Sequence, residues 1–368
     1  MIKLAHPDIT AREVAAVTRV LKSGTLSLGP ELTAFENAFA TYVGRKHALA
    51  VSSGTAGLHL AVRALGIGPG DEVITSPYSF IASVNCILFE GARPVLADID
   101  PVSLNLDPAK AAKRVNARTK AILAVDVFGL PAEYQKITAI CRKHQLHLIE
   151  DSCEALGATY HGKQAGSFGR VSTFGFYANK QITTGEGGMV LCDDDRLYLH
   201  MSAMRNQGRS SMGGWLAHHI LGYNYRMSDI SAALGRVQLG RLAQLLSHRK
   251  RIADNYQELF SRQLPEFTTL HDVPGMERSW FVFAILVPGK LKGKKRDQLI
   301  KGLQQAGIGC AHYFPALHLQ PALRSLGYHR GDFPVAEDIA DRSLAIPFHH
   351  RLTVRDQQTI VRMIKSLV

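Results

Sequence analysis

"HALAVSSGTAGLHLAVRAL", residues His47 to Leu65, changes its period half-way. His47 to Ser53 is a short apolar run ending in small residues, whereas Leu58, Ala61, Val62 and Leu65 recur three or four apart, as one face of a helix requires. The stretch reads as strand, tight turn, helix. Comparable strand-like runs follow at "DEVITS" (71–76), "RPVLADID" (93–100), "KAILAVDVFG" (120–129), "LHLIED" (146–151), "VSTFGFY" (171–177) and "GGMVLCD" (187–193). Helical patterns starting near Ser79, Pro131 and Asp229 lie between or after them. Such alternation predicts an α/β fold whose largely parallel sheet is covered by helices on both faces.

The texture changes after a long polar helical stretch from Ser228 to Phe260. "WFVFAILVPG" (280–289), a helix near Arg296–Ala306, "GIGCAHYF" (307–314) and a closing helix "TVRDQQTIVRMIKSLV" (353–368) suggest a smaller α+β unit. With 368 residues, more than one core commonly sustains, the chain is expected to divide into residues 1–245 and 246–368.

Composition narrows the function class. No apolar run approaches the roughly 20 residues that cross a bilayer, and "MIKLAHPDIT" has no signal-peptide core, so a soluble cytoplasmic protein is expected. Five cysteines without a C-x-x-C pair argue against a disulfide framework or a thiolate zinc site. His312 and His318 lack a third ligand at clear spacing, so no metal is expected. The net charge of +12 is concentrated in "HRKR" (248–251) and "GKLKGKKR" (289–296). That surplus suits a solvated face or an anionic small molecule; without a nucleic-acid motif beside it, nucleic acid is not the expected partner.

"YANKQITTGEGG", Tyr177 to Gly188, sets a lysine ahead of glycines, the reverse of a nucleotide P-loop. A lysine in that setting has another use, condensation with an aldehyde. Two further features complement it. "SSGTAG" (52–57) opens a helix with free amides and hydroxyls suited to an anion, and Asp151 ends an apolar strand at the sheet edge where α/β proteins bind ligands. A phosphate cup, an acid and an amine are the groups that pyridoxal 5′-phosphate requires.

In their order along the chain, "SGTLSLGPELTAFENAFATYVG", "SSGTAGLHLAVRAL", "GDEVITSPYSFIAS", "EDSCEALGA", "NKQITTGEGG", "GYNYRMSDISAALGRVQL" and "HYFPALHLQPAL" resemble the DegT/DnrJ/StrS family of sugar aminotransferases. The resemblance implies the aspartate-aminotransferase-like architecture of fold type I pyridoxal-phosphate enzymes. It implies that Lys180 forms the Schiff base and that Asp151 contacts the pyridine nitrogen. Phe80 would stack on the cofactor ring, Gly54, Thr55 and Ala56 would hold the phosphate, and Asn224 would reach that phosphate from the second subunit of a homodimer. The substrates would be L-glutamate and a nucleotide-linked keto-sugar, with pyridoxamine 5′-phosphate formed between them. Arg205, Arg226 and His318 are candidates to meet the substrate, each with an equally ordinary structural reading.

Two positions depart from the family pattern: Gly175 stands where many relatives have a phosphate-binding serine, and Glu154 where they have Gln or His beside the phenolic oxygen. An ionised Glu154 would repel that oxygen, so it is expected to be protonated or turned toward another partner. A ketocyclitol aminotransferase or a regulator that keeps the fold are the alternative readings. Lys180 argues against the family's dehydratase branch, which carries His there.

Overall fold

The computed structural model describes residues 1–209 and 217–368. The seven strand-like runs of the first half all form strands: β1 (His47–Val51), β2 (Glu72–Thr75), β3 (Arg93–Leu96), β4 (Thr119–Val125), β5 (His147–Asp151) and, after a small hairpin of β6 (Thr159–Tyr160) and β7 (Lys163–Gln164), β8 (Val171–Gly175) and β9 (Gly188–Cys192). They build one sheet in the order β1-β9-β8-β5-β4-β2-β3. Every pairing in it is parallel except the two made by β9. β1 and β8 flank β9, both antiparallel to it, and so run the same way as the rest. The carboxyl ends of β1, β2, β4, β5 and β8 therefore share one edge.

Residues of one strand alternate between two cores, as the pleat demands. Leu49 and Val51 of β1 join the core beneath α3 (Gly54–Ala64; numbered after α1, Ala11–Ser23, and α2, Pro30–Val43), while Ala48 and Ala50 join Phe35, Phe39 and Phe174 on the other face. Helix α3 starts where β1 ends because Ser53 is extended and its hydroxyl accepts the amide of Ala56 at 3.0 Å, a side-chain N-cap. The next helix, α4 (Ala82–Leu88), follows β2 after a six-residue loop and has no side-chain cap.

The polar stretch from Ser228 onward is two helices, Asp229–Gly240 and Leu242–Gln263, interrupted at Arg241. The expected division at residue 245 falls inside the second of these. Leu242 and Leu245 pack with Phe35, Phe39 and Phe174, whereas Ile252, Tyr256 and Phe260 pack with Phe283 and Leu344 in the core that continues beneath α3. β10 (Thr268–Thr269), β12 (Phe283–Leu286) and β13 (Ser343–Ile346) form an antiparallel three-stranded sheet, and β11 (Met276–Glu277) pairs with β6. The N-terminus also joins this region: Ile2 donates to Gly307 and accepts from Gly309, both at 2.8 Å. The closing helix, Val354–Ser366, is capped by Thr353 and Asp356 and buries Ile360, Val361 and Ile364. Among the described residues, no helix is long and apolar enough to cross a membrane.

Candidate active site

At the shared carboxyl edge lies a cavity of about 440 Å³, whose wall includes Thr55, Phe80, Asp151, Glu154, Lys180 and Tyr313. Asp151 is the last residue of β5. Its carboxylate is almost wholly buried, accepting the Ser83 hydroxyl at 2.8 Å and the Cys153 amide at 3.2 Å. Among the described residues no lysine or arginine forms an ion pair with it. A buried carboxylate held only by neutral donors is a costly arrangement unless a cation completes it.

Lys180 follows β8 in a turn closed by its own amide on the carbonyl of Tyr177, at 3.0 Å. Its amine stands 3.7 Å from Glu154 Oε1 and 4.2 Å from the centre of the Phe281 ring. Glu154 is held from the other side by the amide of Phe128, 2.8 Å from Oε2. Burial raises its carboxyl pKa above the ordinary range, with Lys180 opposing that rise. Glu154 thus lines the cavity and faces the Lys180 amine, a partner not among those expected for it.

The third part is the start of α3. Gly54 and Thr55 line the cavity, and first-turn amides of a helix have no acceptor within it. The glycines after Lys180 serve this cup: a Cβ at Gly188 would stand 2.7 Å from the carbonyl of Ser53 and 2.8 Å from the amide of Gly54, so only glycine lets β9 pass. At Gly175 a Cβ would be 3.4 Å from both Cβ and Sγ of Cys153. The Cys153 side chain thus occupies the space beside Gly175, and burial pushes its thiol pKa well up.

Not every residue expected at the site lies there. Ala56 is turned into the core, its amide taken by Ser53, and it does not line the cavity. Phe80 lines it, yet is 58% exposed at its mouth. Asn224 is exposed outside the cavity, between Tyr223 and Tyr225, whose rings stack 4.9 Å apart. Arg226 donates to Asn206 Oδ1 at 2.9 Å. Arg205 is buried and paired with Glu36 at 2.5 Å, the structural role rather than the substrate-facing one. The expectation for His318 is corrected: its side chain is fully buried, 3.0 Å from Glu337 and edge-on to Phe333, out of a substrate's reach. Conversely, Ser83, Cys153, Phe281 and Phe314 belong to the site unforeseen. Among the described residues, no three His, Cys, Asp or Glu side chains gather as a metal site.

Against known families, residues 7–365 match the one described as DegT/DnrJ/EryC1/StrS aminotransferase. The chain belongs to that family. This aminotransferase is 39% identical to the spore coat polysaccharide biosynthesis protein SpsC of Bacillus subtilis, over 98% of its own length and 96% of the relative's. It is 38% identical to the GDP-perosamine synthase of Caulobacter vibrioides, over 100% and 98% of the two chains. Among solved structures it is similar to Spr1654 of Streptococcus pneumoniae in its PMP form, with a TM-score of 0.94, 28% identity and coverage of 100% and 99%. The PLP form of Spr1654 gives the same TM-score. The large, mainly parallel sheet with its smaller antiparallel companion is the fold type I arrangement.

Proposed function

We propose that this sugar aminotransferase moves an amino group from L-glutamate to a keto-sugar carried on a nucleoside diphosphate. The observation carrying the reading is the meeting of Lys180, Asp151 and the start of α3 around one cavity. That donor set fits pyridoxal 5′-phosphate: the helix start and the Thr55 hydroxyl suit a dianionic phosphate, and Asp151, without a cation of its own, suits a pyridinium nitrogen. When bound, the cofactor supplies an electron sink that acidifies the carbon bearing the amine.

The chain's own groups do the rest. Asp151 keeps the ring nitrogen protonated, and Ser83 and the Cys153 amide hold its carboxylate in place. Lys180 is the tether for the cofactor and the base that takes and returns a proton at the substrate carbon. A proton on Glu154, favoured by its burial, turns that carboxyl into a donor facing the cavity instead of a second negative charge. Phe281 and Phe314 help to keep water away from the amine.

Asn224 supports assembly as a homodimer with each site completed by its partner. It lies outside its own cavity, exposed on a loop stiffened by the Tyr223–Tyr225 stack, where it is free to approach the phosphate of a second copy. Arg226, beside it, is proposed to meet the sugar's diphosphate. Five free thiols support a reducing, cytoplasmic setting. The test is incubation with L-glutamate and a panel of nucleotide-linked 3-keto and 4-keto sugars, reading 2-oxoglutarate and amino-sugar formation. Turnover with one of them is expected; turnover with keto-inositols alone would overturn the substrate reading.

A further inference from the structure

Arg249, on the helix Leu242–Gln263, is buried beneath the Lys180 turn. One of its terminal nitrogens, Nη2, donates to the carbonyl of Lys180 at 2.9 Å and approaches that of Asn179 at 3.5 Å. The other, Nη1, donates to the carbonyl of Phe281 at 3.1 Å and approaches that of Trp280 at 3.5 Å. Phe281 is the residue whose ring faces the Lys180 amine at 4.2 Å. Both halves of that contact therefore hang from one planar guanidinium. The acid whose charge acts on it, Asp8, is engaged with Arg241 at 3.2 Å and His350 at 3.8 Å. Burial lowers the Arg249 pKa to about 10, so it remains a cation at neutral pH.

A lysine amine sits on a flexible four-carbon stem, and its place is only as well defined as its backbone and its walls. We propose that Arg249 is a positioning residue for the reaction: by clamping the carbonyls of Lys180 and Phe281 together it sets where the Lys180 amine stands relative to Phe281 and Glu154. Lysine cannot replace it, because one ammonium lacks the rigid fork that spans the two segments. Arg296 offers a matched control. It too is buried and clamps the carbonyls of Ala340 and Ser343 at 3.0 and 2.6 Å, pairs with Asp297 at 2.8 Å, and makes no contact with Lys180.

The inference rests on Lys180 carrying the cofactor, and its test reads the holoenzyme. The visible absorption of bound pyridoxal phosphate is titrated with pH for wild type, Arg249→Lys, Arg249→Gln and Arg296→Lys, beside kcat, KM for L-glutamate and thermal melting. The other titratable groups lining the cavity with the amine, Asp151, Cys153, Glu154, Tyr177, Glu186 and Tyr313, are common to all four proteins. The Arg249 variants should lose roughly tenfold to a hundredfold in kcat with KM little changed. Their absorption midpoint should move by about half a pH unit or more. Arg296→Lys should melt lower yet keep the wild-type midpoint. Wild-type titration and turnover in the Arg249 variants, or an equal shift in Arg296→Lys, would overturn the proposal. Failure of both Arg249 variants to fold while Arg296→Lys folds would assign the guanidinium a purely structural role and overturn it too. Were Lys180 not the tether, borohydride reduction of the wild-type holoenzyme would leave its pyridoxyl label on another residue, a result distinct from an unmoved midpoint in the Arg249 variants.

Discussion

Replacing Gly54 by alanine should weaken cofactor binding through a single close approach. The added Cβ would stand 2.8 Å from Cys153 Sγ and 3.4 Å from the Cα of Gly175, and contact between such atoms begins nearer 3.5–4.0 Å. Cys153 has little freedom to yield, since its amide holds Asp151 at 3.2 Å and its thiol lies 3.7 Å from the carbonyl of Thr173. Overpacking of this kind costs about 1–3 kcal/mol, less up to about 1 kcal/mol that alanine regains over glycine in a helix. A net loss of about 1–2 kcal/mol corresponds to roughly five- to thirtyfold weaker binding. Titrating the apoenzyme with pyridoxal phosphate and following the visible band measures it. Removing the obstacle should reverse the effect, so Gly54→Ala/Cys153→Ala is expected to return to within about threefold of the wild type. Wild-type affinity in the single variant, or no recovery in the double, would refute the assignment of the helix start as the phosphate cup packed against Cys153.

Glu36→Ala should cost about 3–5 kcal/mol of stability in chemical denaturation, because it strands the buried Arg205 guanidinium and the amide of Ala50. KM for the sugar should stay within about twofold in the folded fraction; a large rise would return Arg205 to the substrate. His349 is buried beside His350 and His6, and burial lowers its pKa from 6.5 to about 4. A base with a depressed native pKa binds fewer protons than the unfolded chain between those values, so the fold loses stability as pH falls from 6.5 to about 4, by up to about 3 kcal/mol. Urea midpoints of His349→Gln across that window should fall less steeply than the wild type's, and an equal fall would contradict the assignment.

Legibility from sequence followed the range of the interaction. The seven main strands could be read because each is built on a compact, mostly buried apolar run, and the strand-end placement of Asp151 and Lys180 came with them. β13 was missed: "SLAI" is short and acquires its strand character from pairing with β12. The break at Arg241 was missed as well, since the polar pattern continues across it. At the site, Ser83, Phe281 and Arg249 carry no local signal. Ser83 matters through Asp151, 68 residues away, and Arg249 through Lys180, 69 residues away. His318 had two readings from sequence, and nothing in "PALHLQPAL" shows that Glu337 and Phe333 will enclose it.

The covalent attachment of the cofactor at Lys180 bears the rest of the account. Borohydride reduction of the holoprotein, followed by proteolysis and mass mapping, should place a pyridoxyl group on the peptide containing Lys180 and on no other. A label on a different lysine, or none on a protein that retains its cofactor, would contradict it.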